Sequence, residues 1–193
     1  MRHTADGTTE PADLVDPADL DAVAHQLNRS PRAVRAIAHR CPCGNPDVVT
    51  TAPRLPDGTP FPTLYYLTCP RATAAVSTLE STGLMRDLTQ RLYDDPELAQ
   101  AYSDAHQAYV SARRDVAAVP EIAGISAGGM PTRVKCLHVL VAHSLAAGPG
   151  VNKVGDIALA QLDPWWGAGP CVARPAEPSS ATDTDSPAAG PTA

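Results

Sequence analysis

No run of about eighteen apolar residues occurs in this 193-residue chain, so no membrane-spanning helix is expected. The opening "MRHTADGTTEPADL" lacks the apolar core of a secretory signal, which gives the expectation of a cytoplasmic protein. A positive balance is missing too. Lys and Arg total 15 against 21 Asp and Glu, for a net charge of −6, which argues against nucleic acid held by bulk charge. "SAGGMPTRVK" lacks the Gly-Lys-Ser/Thr ending of a Walker loop, and neither a Ser-centred elbow nor an H-E-x-x-H helix is present. No period of 20 to 50 residues repeats. Nor is there an even number of cysteines. Five thiols in a reducing compartment make no stable disulfide framework, leaving metal ligation, reactivity or packing to explain them.

What is present suits a single globular domain: 44% hydrophobic and 19% charged residues provide a core for one unit of this length. Residues 1–18 are acidic and aperiodic, and residues 168–193 are almost wholly Ala, Pro, Gly, Ser, Thr and Asp. Both ends are expected to be disordered, leaving 19–167 as the domain. Charge is segregated. Residues 1–28 carry six acids against one Arg, and residues 29–40 carry four Arg and no acid.

The hydrophobic period predicts mostly helix. "ADLDAVAHQL" reads as a first helix and "SPRAVRAIAHR" as a second, with Ser30 as N-cap, Pro31 in the first turn, and Val34, Ile37 and Ala38 on one face. The two together resemble a helix-turn-helix that would carry Arg32 and Arg35 outward, the basis of an alternative function as a small DNA- or protein-binding adaptor. "DVVTTA" and "FPTLYYLTC", joined by the turn-rich "RLPDGTP", read as two paired strands. Helices follow at "RATAAVSTLEST", at "LMRDLTQRLYD", and after Asp95-Pro96, where Leu98, Tyr102, Ala105 and Tyr109 line one side. "RVKCLHVLVAHSLAAG" is apolar nearly all round and predicts a buried C-terminal helix ending at Gly148. The fold class is therefore α+β, predominantly α-helical, with a small two-stranded β element.

The residues with chemistry are Cys41, Cys43, Cys69, Cys136, His138 and His143. Several sit at the ends of elements, where ligands from separate segments can converge. Thiolate and imidazole suit zinc, and thiolates alone suit an iron–sulfur cluster. Spacing constrains the set: His138 and His143 lie about 140° apart on an ideal helix and cannot share one ion there. The competing account makes Cys69 and Cys136 plain core side chains. Two further possibilities stay open: a Cys41 or Cys69 nucleophile with His143 as base, and a phosphate-like anion received by Arg133, Lys135, Gly128 and Gly129 at a helix entrance.

The motifs "RCPCGNPDVV", "TPFPTLYYLTCP", "GGMPTRVKCLHVLVAH" and "GVNKVGDIALAQLDPWW", in that order, resemble the actinobacterial form of the domain of unknown function 501 family over residues 20–166. The family brings no reaction, substrate or catalytic residue. The resemblance matches Arg40, Cys41, Gly44 and Pro46, then Pro62, Thr63, Thr68, Cys69 and Pro70, then Lys135, Cys136, His138 and His143. It implies a shared zinc or iron–sulfur site of Cys41, Cys69 and Cys136 with His143 or Cys43 as fourth ligand, and it leaves Cys171 without a role. It also implies a cell-envelope or division setting, since genes of the family lie near those of a septum-formation initiator-like protein and an exopolyphosphatase.

Overall fold

A computed structural model describes residues 15–173. The expected disorder of 1–18 and 168–193 therefore falls, for residues 1–14 and 174–193, outside the described residues. Helix α1 (Pro17–Leu27) starts where Asp16 accepts a hydrogen bond from the Ala18 amide at 2.8 Å and stops at Asn28, whose left-handed φ of 51° turns the chain out. A three-stranded antiparallel sheet follows in the order β1 (Val34–Arg40), β2 (Pro46–Thr51), β3 (Tyr65–Leu67).

Strand β1 corrects the sequence analysis, which expects a helix here and two strands rather than three. With it goes the helix-turn-helix, since the segment carrying Arg35 pairs with β2 from Val34↔Thr51 to Arg40↔Pro46. The reason lies in the register. Shifts between Val34 and Ala36, between Ile37 and His39, and between His39 and Arg40 break the two-residue alternation of a regular strand. Val34 and Ile37, an odd number of positions apart, consequently pack into the same cluster while Ala38 packs into another. A bulged strand thus imitates a helical period. Its pairing satisfies β2's backbone, which a helix would leave open.

The sheet is covered on both faces. Val49 and Tyr66 face α1 with Val15, Val23, Val34 and Ile37. Val48, Tyr65 and Leu67 face the larger core under the remaining helices. This two-sided burial accounts for the continuous apolar stretch of β2, with Val48 and Val49 both buried.

Helices α2 (Pro70–Ser81), α3 (Leu84–Asp94), α4 (Pro96–Val116), α5 (Leu137–Ala147) and α6 (Lys153–Leu159) complete the domain. Asp95 caps α4 by accepting from the Glu97 and Leu98 amides, each at 3.0 Å. Helix α5 packs against α6, β3 and α2 and buries Leu137, Leu140, Val141, Ala142, His143 and Ser144. The α5–α6 contact depends on Gly155. A Cβ there would lie 2.3 Å from the Leu140 carbonyl oxygen and 2.4 Å from Ser144 Oγ. Gly155→Ala is expected to force the helices apart and cost about 1 to 3 kcal/mol, measured by urea unfolding against an exposed Ala→Gly control in α4.

Candidate metal centre

Thr73, Ser77 and Glu80 lie on one face of α2 at i, i+4 and i+7 spacing, and that face meets the first turn of α5. Cys136 is the residue that precedes α5, with extended backbone (φ −155°, ψ 118°), and His138 is in its first turn. Glu80 Oε1 accepts the Leu137 amide at 2.6 Å and lies 3.1 Å from His138 Nδ1. Cys136 Sγ lies 3.8 Å from the same Nδ1. Carboxylate, thiol and imidazole place one ligand atom each within 4.8 Å of the other two, the one such trio among the described residues.

The far side of the imidazole fixes its hydrogen. His138 Nε2 is 3.2 Å from the Thr73 carbonyl oxygen and 3.2 Å from Ser77 Oγ. A carbonyl only accepts, so Nε2 carries hydrogen and Nδ1 is the nitrogen turned toward Glu80 and Cys136. Without a cation, Nδ1 holds a proton as well: the hydrogen bond to Cys136 lifts the imidazole to about 9, with Glu80's charge helping and burial opposing. The group is chemically two-sided. A carboxylate, a thiol and a basic nitrogen hold a proton at their centre, in the position where a metal ion could stand.

The sequence offers little that marks Glu80. One clue is its place in the last turn of α2, where the helix dipole disfavours negative charge. The carboxylate is there for α5, whose N-terminus it caps.

The other predicted ligands go elsewhere. Cys41 is buried at the end of β1, in a turn closed by the Gly44 amide on the Cys41 carbonyl at 2.8 Å and the Cys41 amide on the Asn45 carbonyl at 3.0 Å; Gly44 takes φ 86° there. Cys41 and Cys43 influence each other's ionisation, as do Cys69 and Cys171. Burial pushes Cys41 to about 11 and Cys69 to about 12. At Cys43 burial also pushes upward, but amide donors from Asn45 and Cys171 and the Cys41 thiol outweigh it and lower the group.

His143 is 1% exposed in the core, stacked on Tyr65 and edge-on to Tyr109, with Asn152 Nδ2 3.2 Å from its Nδ1. The structure thus brings Cys136 and His138 together with Glu80, whereas Cys41 shares a turn with Cys43 and Cys69 interacts with Cys171, without three of these sulfurs converging. His143 joins neither group.

Gly128 and Gly129, with φ of 69° and 93°, shape the loop before α5. A recess of about 510 Å³ there is lined by Arg133, Lys135 and His106 among others. Its amides are largely engaged: Lys135 N donates to the Gly128 carbonyl at 2.7 Å and Arg133 N to the Gly129 carbonyl at 3.1 Å. The exposed Arg133 and Lys135 side chains are what remains for an anion. Arg29 and Arg32, from the basic stretch, rim a separate recess of about 360 Å³ floored by Val49 and Tyr66.

Among the described residues no helix is long and apolar enough to cross a membrane. No curated protein and no solved structure matches the chain. The profile of the family described as "Protein of unknown function (DUF501)" matches residues 37–160, a span that holds both the α2–α5 trio and Cys41, Cys43 and Cys69. On that match the chain belongs to the DUF501 family.

Proposed function

We propose that this protein binds a divalent transition metal, zinc foremost, through Glu80, Cys136 and His138. The observation that carries the proposal is the convergence of three different ligand atoms within 4.8 Å on a histidine whose other nitrogen is held by a backbone carbonyl. That outer bond sets the tautomer a metal-bound imidazole needs. Carboxylate oxygen, thiolate and imidazole suit zinc, whereas a single thiolate is too few for an iron–sulfur cluster at this place. Three protein ligands leave a position of a tetrahedral ion for water or substrate. His138 and Glu80 side chains are 25% and 22% exposed, so that position opens toward solvent. A cytoplasmic location, where thiols stay reduced, and a division or envelope setting belong to the same proposal.

Competition titration of the purified chain with zinc and a chromophoric chelator tests it. Glu80→Gln, Cys136→Ser and His138→Gln are each expected to weaken this site by at least about 100-fold, since each removes a ligand rather than an outer-shell partner. Circular dichroism confirms that the variants fold. Unchanged zinc affinity in all three would refute the site.

A further inference from the structure

The basic stretch of residues 29–40 divides by partner. Arg40 pairs with the buried Asp19, whereas Arg29 and Arg32 are exposed and form no salt bridge among the described residues. Their places in the chain are fixed by left-handed backbone on either side, Asn28 (φ 51°) before Arg29 and Ala33 (φ 55°) after Arg32. Alanine rarely takes this conformation. Here the Ala52 amide pins it by donating to the Ala33 carbonyl at 2.7 Å.

Both arginines line the recess of about 360 Å³ beside α1. Its floor is Val49 and Thr51 of β2 with Tyr66 of β3, and its walls include Leu27 at the end of α1 and Leu55 and Phe61 from the connection between β2 and β3. Leu27, Leu55, Phe61 and Tyr66 are only half-buried, so apolar surface remains open there. The wall is formed in advance. The Leu55 amide donates to the Thr59 carbonyl at 2.9 Å and the Phe61 amide to the Pro53 carbonyl at 2.8 Å, while Arg54 ties the turn to Gly58 at 2.6 Å and to Glu121 at 2.7 Å.

Polar groups then decide the sign of the ligand. Thr51 already donates its hydroxyl to the Thr63 carbonyl at 2.6 Å, and no carboxylate lines the recess among the described residues, which leaves two guanidinium groups and the Tyr66 hydroxyl. Asp57, whose charge Arg32 feels, makes no ion pair with it and accepts the Thr59 amide at 2.9 Å. The Ala24 and His25 carbonyls at the end of α1, which would repel an anion, are met by the Asn28 and Arg29 amides.

We propose that this recess binds a small organic anion, its carboxylate or phosphate held by Arg29 and Arg32 and its apolar body seated on Val49, Phe61 and Tyr66. Guanidinium forks suit both head groups, two N–H donors at a time. Ligand pockets run from about 300 to 1,000 Å³, so a recess at the small end of that range suits a body of one or two rings rather than a lipid with two chains. None of its lining residues belongs to the Glu80, Cys136 and His138 trio. The two sites therefore succeed or fail separately.

The test is fluorescence titration of the full chain with anilinonaphthalene sulfonate and with phenylnaphthylamine, which keeps the rings but lacks the charge. Saturable binding of the anionic dye is expected, weakened at least about tenfold by Arg29→Gln with Arg32→Gln, while the neutral dye is bound more weakly and is indifferent to that change. Phe61→Ala should weaken both dyes, and Arg114→Gln, an exposed arginine of α4, neither. Circular dichroism confirms that each variant folds. Displacement of the bound dye by benzoate or by phenyl phosphate supports the proposal, and the tighter of the two identifies the head group. No saturable binding, an anionic-dye affinity unchanged in the double arginine variant, or inorganic phosphate competing as well as phenyl phosphate would overturn it.

Discussion

Asn152→Ala is expected to destabilise the protein by about 3 to 5 kcal/mol, more than any other single truncation of a polar side chain considered. Asn152 is fully buried and serves two elements at once. Its Oδ1 accepts the Gly155 amide at 3.0 Å and so caps α6; loss of such a cap costs about 0.5 to 2 kcal/mol. Its Nδ2 faces His143 Nδ1 at 3.2 Å and Met130 Sδ at 3.8 Å. Alanine strands both the Gly155 donor and the His143 acceptor in the core, at about 1 to 3 kcal/mol each. Asn152→Ser separates the two contributions, because a hydroxyl keeps the cap and is too short to reach the imidazole. Chemical denaturation should therefore rank wild type above Ser and Ser above Ala. Equal losses in the two variants would mean that the histidine contact contributes nothing.

Lowering the pH from 6.5 to 4 is expected to remove about 3 kcal/mol through His143 alone. Burial lowers its pKa to about 4, against a smaller opposing pull from Asp156. The donated Asn152 hydrogen requires a lone pair on Nδ1, so the folded state holds the neutral ring. The unfolded chain takes up a proton near 6.5 and the folded chain does not until about 4. Between those values the unfolded state binds more protons, so stability falls as pH falls, by about 1.4 kcal/mol per unit. Asp47 acts in the opposite sense, because burial outweighs His39 and raises its carboxyl. The difference between wild type and His143→Gln isolates the histidine. That difference should shrink steadily from pH 6.5 to 4; a constant difference would show that His143 is not held neutral.

Both results bear on what the sequence reveals. His143 shares the motif of Cys136 and His138, and its residue type suits a metal, yet position along α5 decides its fate: five residues beyond His138 the helix has turned inward under Tyr65 and Tyr109. Helices α1 to α5 are legible because apolar periods coincide with local stops and starts such as Asp95-Pro96 and Gly148, although α1 begins at Pro17, inside the stretch expected to be disordered. Strand β1 is not, because its register shifts erase the alternation by which strands are recognised. At the α2–α5 site, Cys136 and His138 stand out by chemistry and Glu80 does not, since its partnership depends on how two helices dock. Cys171 is hidden by composition. It lies in a Pro- and Ala-rich segment, but Arg71 reaches the Gly169 carbonyl and Asn45 Nδ2 donates to the Val172 carbonyl at 2.9 Å, which brings residues 169–172 back onto the sheet end.

In the proposed site Glu80, Cys136 and His138 ligate one metal ion. Zinc-edge X-ray absorption tests it most directly, on protein with Cys43→Ser and Cys171→Ser loaded with one equivalent of zinc. The predicted first shell has one sulfur at about 2.3 Å and nitrogen or oxygen neighbours at about 2.0 to 2.2 Å, with imidazole scattering that disappears in His138→Gln. A shell of nitrogen and oxygen without sulfur, or one left unchanged by His138→Gln, would contradict the account.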